Sequence, residues 1–453
     1  MTTTATPPPT ARVDDRAEAP LTLDQPAPRA LRLVDQLGLW ANLGVSLLGF
    51  TGASYALYPV FGGPAVSLAA AVTAIVVGTV IGTAAVAAAA VPGTRTGAPA
   101  MVLLRGLFGA RLSWLPTVLN IVQLVGWTTF ELVVISTAAH QLTDALPRSA
   151  YVLVGGAITT ALALRPLGWI RALRKYVTIA VLIAVGYLGI QLLRNPLPSF
   201  TGGSWHGFWL GVDSIVGVTV SWVPVAADYS RHSHRTRDTV IGTFFGYSVT
   251  QFVCYGIGLV ALVTVAKGGT DHQMYSAFMA IPLGTLAFAV LAVRELDQSF
   301  VDTYSSAVSV QNLRPRWDRR AIALVIGVLS TIFALKFSVD DYYNFLVLIG
   351  SVFVPLAGVF IVDYFVTARG RWDVTETAPA RWLMLVPWVL GFVAYQLINP
   401  GYIGWWQRMW LHVDDWLHFT PTSWMSASIL SFAVAALAAL PLGLLSRRRD
   451  AVC

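Results

Sequence analysis

A carboxylate is costly in hydrocarbon, so acidic side chains inside the apolar runs of this chain are the first candidates for chemistry. Glu131 sits near the middle of one such run. Asn120, Gln123, Trp127 and Glu131 recur at helical spacing, so a helix presents all four on one face. A polar stripe with one indole suits a flat, hydrogen-bonding ligand: the ring stacks and the carboxylate sets its orientation. The same stripe would also serve to glue helices together. A second run carries Arg294, Glu295, Asp297 and Asp302. Three carboxylates against one guanidinium leave negative charge, which calls for a proton or a metal cation to join them. Arg294 and Glu295 read as an ion pair nearer the membrane edge. Asp297 is the candidate for a coupling cation and Asp302 for the ligand. Asp228, with Arg231 three residues on, reads as a structural pair, and Asp363 also reads as structural; Asp213 remains a candidate ligand contact.

The elements that must position these groups follow from composition. Hydrophobic residues make up 56% of the 453 and charged residues 12%, with a mean hydropathy of +0.65. A soluble domain carries about 25% charged residues. The apolar runs fall near 37–60, 65–90, 115–139, 149–165, 173–193, 208–227, 239–266, 283–308, 321–337, 342–367, 381–398 and 424–445, here numbered spans 1 to 12. Each approaches the ~20 residues that cross a bilayer as a helix. They lack the alternation of barrel strands, so the chain is an all-α polytopic membrane protein of about twelve transmembrane helices. Basic residues collect in alternate loops, including Arg314, Arg316, Arg319 and Arg320 and the tail Arg447, Arg448 and Arg449. That bias places both termini in the cytoplasm and the chain in the cytoplasmic (inner) membrane. It also accounts for the net charge of +7 without a nucleic-acid partner. A disordered cytoplasmic tail over 1–34 and a basic tail over 446–453 flank a transporter domain over 35–445.

Enzyme signatures are missing. The two cysteines, Cys254 and Cys453, make no disulfide framework or metal cluster. The seven histidines fall in loops or at span ends and form no catalytic or metal-ligand pair. No organic cofactor or resident metal is expected; the accompanying ion is H+ or Na+.

Spans 1 and 6 echo one another. Leu43-Gly44-Val45-Ser46-Leu47-Leu48-Gly49-Phe50-Thr51 matches Leu210-Gly211-Val212-Asp213-Ser214-Ile215-Val216-Gly217-Val218-Thr219 with one residue of slack. Five spans separate the copies, so the second enters from the opposite face, as in an inverted repeat with its site at the midplane. Repeat one would cover about 37–193, repeat two about 208–367, and two extra helices about 381–445. Gly44, Gly49, Gly52, Gly211 and Gly217 are candidate helix breaks; close helix packing explains any one of them as well. The paired breaks put Ser46, Phe50, Gly217 and Thr219 on the candidate substrate list with Trp127, Glu131, Gln123, Asp302 and Asp213. Gly44 and Ser46 join Asp297 at the candidate cation site.

Four ordered motifs carry a family resemblance. The loop Pro92-Gly93-Thr94-Arg95-Thr96-Gly97-Ala98-Pro99 runs on through Arg105 to Gly109. Ser221-Trp222-Val223-Pro224 leads to Asp228-Tyr229-Ser230-Arg231, then come Asp302-Thr303-Tyr304-Ser305, and Pro355-Leu356-Ala357-Gly358 before Asp363-Tyr364. From about residue 35 to 370 the chain resembles the nucleobase:cation symporters, the purine/cytosine permeases, and looks closest to the cytosine and hydroxymethylpyrimidine branch. The resemblance implies a five-plus-five inverted-repeat, leucine-transporter-like fold and alternating access. It implies a ligand stacked on Trp127, with Glu131 where sodium-coupled relatives carry an amide and Asp302 where they carry an Asn. Their sodium-binding hydroxyls fall near Leu296 and Asp297. The function expected is cation-coupled symport of a nucleobase or related pyrimidine. Rivals are transport of an amino acid, purine or allantoin-like compound on the same fold and, further off, a membrane-embedded enzyme.

Overall fold

The computed structural model describes residues 19–60, 63–165, 177–266, 271–338 and 342–450. Spans 1 to 5 contain α1 (Leu33–Leu43), α2 (Leu47–Leu57), α3 (Leu68–Thr96), α5 (Trp114–Leu142), α6 (Arg148–Ala163) and α7 (Val177–Leu192), with a short α4 (Ala100–Phe108) in the loop after α3. Spans 6 to 10 contain α8 (Phe208–Val220), α9 (Ala226–Ser230), α10 (Thr236–Ala261), α12 (Gly284–Leu313), α13 (Arg319–Ala334) and α14 (Tyr342–Ile361), with α11 (Asp271–Ala280) before α12. The end of the chain adds α15 (Leu385–Ile398), α16 (Gly404–Leu417) and α17 (Ala427–Asp450). Among the described residues the only β pairings are two isolated bridges, Leu31 to Ser233 and Val66 to Ser204. Among the described residues five helices are long and apolar enough to cross a bilayer, or six with the bent pair α1–α2 taken as one span. The helix α16, with Trp405 and Trp416 largely exposed, fits a membrane interface.

Span 1 breaks where its sequence allows. Between α1 and α2 the chain turns by 60° over Gly44-Val45-Ser46. Ser46 is extended (φ −150°, ψ 144°) and caps α2, its Oγ accepting the Leu48 amide at 3.1 Å. At Gly44 a Cβ would lie 2.2 Å from Thr250 Oγ1 and 2.8 Å from the Tyr247 carbonyl oxygen, so α10 packs directly on the break. The other glycines take the packing role. Gly49 and Gly52 are helical and lie against Cys254 and Tyr255.

Span 6 corrects the expectation. α8 runs unbroken through Gly211 and Gly217, and the interruption falls at Ser221–Val225. Pro224, which has no amide to donate, lies in that segment. The glycines of α3 instead let α8 approach: a Cβ at Gly78 or Gly82 would collide with Ile215 or Thr219.

The amino-terminal tail is the second correction. Residues 19–32 form a strap across one end of the bundle, not a disordered leader; 1–18 lie outside the described residues. The Leu21 carbonyl accepts from Gln311 Nε2 (2.6 Å) and the Arg319 amide (3.0 Å), and the Pro20 carbonyl accepts from Arg319 Nε (3.2 Å). Farther along, the Pro28 carbonyl lies 2.9 Å from His232 Nδ1, while Arg231 Nε donates to His232 Nε2. Burial and the Arg231 charge push this loop histidine down to about 3, so it is neutral at working pH. An extended proline-rich segment has carbonyls that no helix uses, and buried arginines bind them.

Three acids outside the centre act as tethers. Asp363 is fully buried and holds Arg381 through two bonds of 2.9 Å, with Trp372 Nε1 (2.7 Å) and Thr367 Oγ1 (2.6 Å) also donating to it. Arg381 reaches on to the Gly106 carbonyl, so the end of span 10 is tied to α4. Asp228 accepts the Ala100 amide (2.9 Å) and caps α4; Arg231 turns away to the Tyr304 hydroxyl (3.0 Å), so the two form no direct pair. Asp213 accepts from Ser426 Oγ (2.5 Å) and from the amides of Ala427 (2.8 Å) and Ser428 (3.0 Å). It caps α17 and is no ligand contact.

Removing one partner of the Asp363–Arg381 pair strands a buried charge, which typically costs about 3–5 kcal/mol. Asp363→Ala should therefore lower the melting temperature of the detergent-purified protein sharply, while Asp373→Ala, in an exposed loop, should not. Equal melting of the two variants would refute the tether.

Candidate substrate and coupling site

The two broken spans meet α5, α10, α12 and α14 around one closed cavity of about 30 Å³. That is room for a water or two. A small-molecule pocket usually has about 300–1,000 Å³, so a planar ring enters only after the helices part.

Trp127 and Glu131, one turn apart on α5, both line this cavity. The indole is 7% exposed and is closed over by α14: Tyr342 lies 5.8 Å away at 72° and Phe345 5.2 Å away at 77°. Among the described residues neither Glu131 oxygen nor Trp127 Nε1 has a hydrogen-bond partner. Asn120 and Gln123 extend the stripe away from the cavity. Gln123 donates to Asn120 Oδ1 (3.0 Å) and to the Ser221 carbonyl (3.1 Å), and Asn120 donates to Ser309 Oγ (2.9 Å). Gln123 therefore holds the broken segment of span 6 and does not face the cavity.

From α12, Gln298 and Asp302 line the cavity, and Arg294 Nη1 donates to Gln298 Oε1 at 2.9 Å. Arg294 and Glu295 are 3.9 Å apart, but they lie at the centre and not at the membrane edge. Glu295 reaches the start of α2, where its Oε1 accepts the Leu47 amide and its Oε2 accepts from Ser46 Oγ (3.3 Å). Asp297 points to the end of α1, with Asn42 Nδ2 3.4 Å from its Oδ2. Gly44 and Ser46 line the cavity.

Phe50, Gly217 and Thr219 lie behind the cavity wall. Phe50 packs on Phe278 (5.4 Å) because α2 turns that face toward α11. Gly217 lies against the Leu346 backbone. Thr219 bonds Gln251, which does line the cavity. Sequence reasoning overlooked the wall supplied by α10, namely Tyr247, Gln251 and Tyr255. A signal was present, since these recur every four residues in an apolar run. It also passed over Trp222, whose indole donates to the Tyr247 hydroxyl at 3.1 Å, and Tyr342.

The family model for permeases of cytosine/purines, uracil, thiamine and allantoin matches residues 55–381. The chain belongs to that family, the nucleobase:cation symporters. Relatives of this permease include a cytosine permease of Escherichia coli O157:H7, 21% identical over 324 residues that cover 69% of this chain and 74% of that one. A putative purine-cytosine permease of Bacillus subtilis is 22% identical over 368 residues, covering 74% and 79%. Among solved structures, Mhp1, a nucleobase-cation-symport-1 family transporter closed with bromovinylhydantoin bound, has a TM-score of 0.71 at 16% identity over 96% and 95% of the two chains. A Na+-coupled sialic acid symporter has a TM-score of 0.61 at 11% identity, covering 92% and 90%. The permease thus has the leucine-transporter-like fold, spans a membrane and is a transporter, not an enzyme.

Losing one hydrogen-bonding group from the cavity wall costs about 0.5–1.5 kcal/mol, or roughly two- to tenfold in affinity. Gln251→Ala should raise the KM for uptake by that factor, whereas Phe50→Leu should leave it nearly unchanged. The reverse ranking would displace the α10 wall from the site.

Proposed function

We propose that this permease carries a nucleobase or related pyrimidine bearing an exocyclic amine beside a ring nitrogen, by cation-coupled symport across the cytoplasmic membrane, with both termini cytoplasmic. The observation that carries this reading is the placement of Trp127 and Glu131 together on the one cavity where the two broken spans meet. The indole supplies a stacking face, worth roughly 1–3 kcal/mol for a base. As a carboxylate Glu131 accepts from the amine; protonated, it also donates to the ring nitrogen. Asp302 and Gln298 offer polar groups from the facing helix. The ring enters when α14 lifts Tyr342 and Phe345 from the indole.

The coupling cation belongs at the seam between spans 1 and 8. Asp297 there faces the C-terminal end of the half-helix α1, the negative end of its dipole, which favours positive charge. A carboxylate can carry a proton itself, so protons are favoured over sodium. A ureide ring is the second reading, supported by relatives described as allantoin permeases and by the hydantoin bound to Mhp1.

Uracil presents a carbonyl and an N–H where an aminopyrimidine presents an amine and a ring nitrogen. A mismatch against Glu131 would leave a buried polar group unsatisfied at about 1–3 kcal/mol, or roughly 5- to 150-fold. In a competition uptake assay Trp127→Ala should weaken every base, and Glu131→Gln should weaken amino-bearing bases more than uracil. If uracil or allantoin competes with the wild type as well as every amino-bearing base, the aminopyrimidine reading fails.

Asp297→Asn should abolish concentrative uptake in proteoliposomes while leaving substrate exchange measurable. Accumulation by that variant at the wild-type level would remove Asp297 from coupling.

A further inference from the structure

Two carboxyl groups face one another beside the break in span 1, and the transport reading uses only one of them. Glu295 accepts the Leu47 amide and the Ser46 hydroxyl at the N-terminus of α2. Those donors, at the positive end of a half-helix, suit an anion. Glu131 faces this carboxyl group from α5: it lines the same cavity as Ser46, whose hydroxyl is held by Glu295. It is completely buried, and neither of its oxygens has a donor among the described residues. An acceptor pressed on an acceptor away from water is stable only with a proton between them, as in paired carboxyl groups elsewhere.

The neighbours do not supply an alternative. Arg294 stands 3.9 Å from Glu295 and gives its Nη1 to Gln298; its Nε and Nη2 find no acceptor among the described residues and do not reach Glu131. Asp302 and Asp297, on the same helix, are acids and supply no positive charge to the pair. Tyr247 and Tyr255 on α10 and Tyr342 on α14 line the cavity with Glu131, and none donates to it.

The geometry points to one proton held between Glu131 and Glu295, a proton-carrying site of the transport cycle separate from Asp297. With the cavity closed, Glu131 keeps the proton on its own oxygen and its O–H donates a hydrogen bond to Glu295, so α5, α12 and the start of α2 are joined. This step rests on the aminopyrimidine reading: when the ring binds, the Glu131 O–H turns to the ring nitrogen and its other oxygen accepts from the amine. Glu295 keeps Leu47 and Ser46. The proton enters from the side that supplies the substrate and leaves on the side that receives it. Only the Glu131 O–H bond forms and breaks.

Infrared spectroscopy of the purified transporter in nanodiscs, with no solute added, tests the pair without reference to substrate. The wild type at neutral pH should show a carboxylic-acid carbonyl band that shifts in heavy water, and Glu131→Gln should remove it. Glu295→Gln keeps an amide oxygen for the Leu47 N–H and should move the band's frequency; Asp297→Asn should not. In proteoliposomes with a pH gradient alone, accumulation of cytosine should fall at least tenfold in Glu295→Gln. A band untouched by Glu131→Gln, or insensitive to Glu295→Gln, overturns the pair. A band that behaves as expected while no base accumulates in the wild type supports the pair and overturns the aminopyrimidine reading.

Discussion

A helix interrupted within hydrocarbon leaves amides and carbonyls that water cannot reach, and the centre of this permease is arranged around satisfying them. At the break in span 1 the Leu48 amide is taken by Ser46 Oγ and the Leu47 amide by Glu295. Gly44 allows α10 to close against the turn with Thr250 and Tyr247. At the break in span 6 the exposed Ser221 carbonyl is taken by Gln123. Each interruption thus draws a polar side chain from a facing helix, α12 in one case and α5 in the other. Those two helices are stitched to each other along the same seam by Asn120 with Ser309 and by Asn312 with Thr117 (2.9 Å). The cavity exists because both breaks and both polar helices converge on it.

The same economy governs the acids that lie away from the centre. Asp213, Asp228 and Asp363 each meet N–H donors of a different element, so each converts a buried charge into a join between segments distant in sequence. A carboxylate that accepts N–H bonds from another element is a structural part. Glu131 differs from them because neither of its oxygens has a donor among the described residues, whereas each of the three accepts at least one N–H. That difference, and not burial alone, separates the acids of the site from the acids of the scaffold.

Closure over Trp127 belongs to the same design. Tyr342 and Phe345 lie on the indole where the proposed ring would stack, so on that reading the aromatic contacts of α14 and those of the ring would compete for one surface. Opening the site exchanges one set of ring contacts for another of comparable kind, which keeps the closed and loaded states near in energy. The strap of residues 19–32 ties Arg319 and His232 together across one end of the bundle and stiffens the frame against which α14 would move.

Much of this was legible in the chain itself. Composition and run length determine an all-α membrane protein, and the four ordered motifs determine its family and fold. The spacing of Trp127 and Glu131 determines that they share a helix face, because helical periodicity is a local property. The acids were legible as a set that hydrocarbon would not tolerate idle, but their partners were not. Asp213 and Ser426 are brought together by the packing of spans far apart in the chain, and spacing cannot encode that. The break in span 6 was misplaced because glycine serves unwinding and close packing equally, and only the neighbouring α3 decides between them at Gly217 and Thr219. The tail was misjudged because its carbonyls find partners on Arg319 and Gln311, almost three hundred residues away. Glu295 is the sharpest case. In sequence it sits beside Arg294 and reads as half of an ion pair; in three dimensions it meets the Leu47 amide and the Ser46 hydroxyl at the start of α2, since which donors a buried acid meets is set by the helices packed around it.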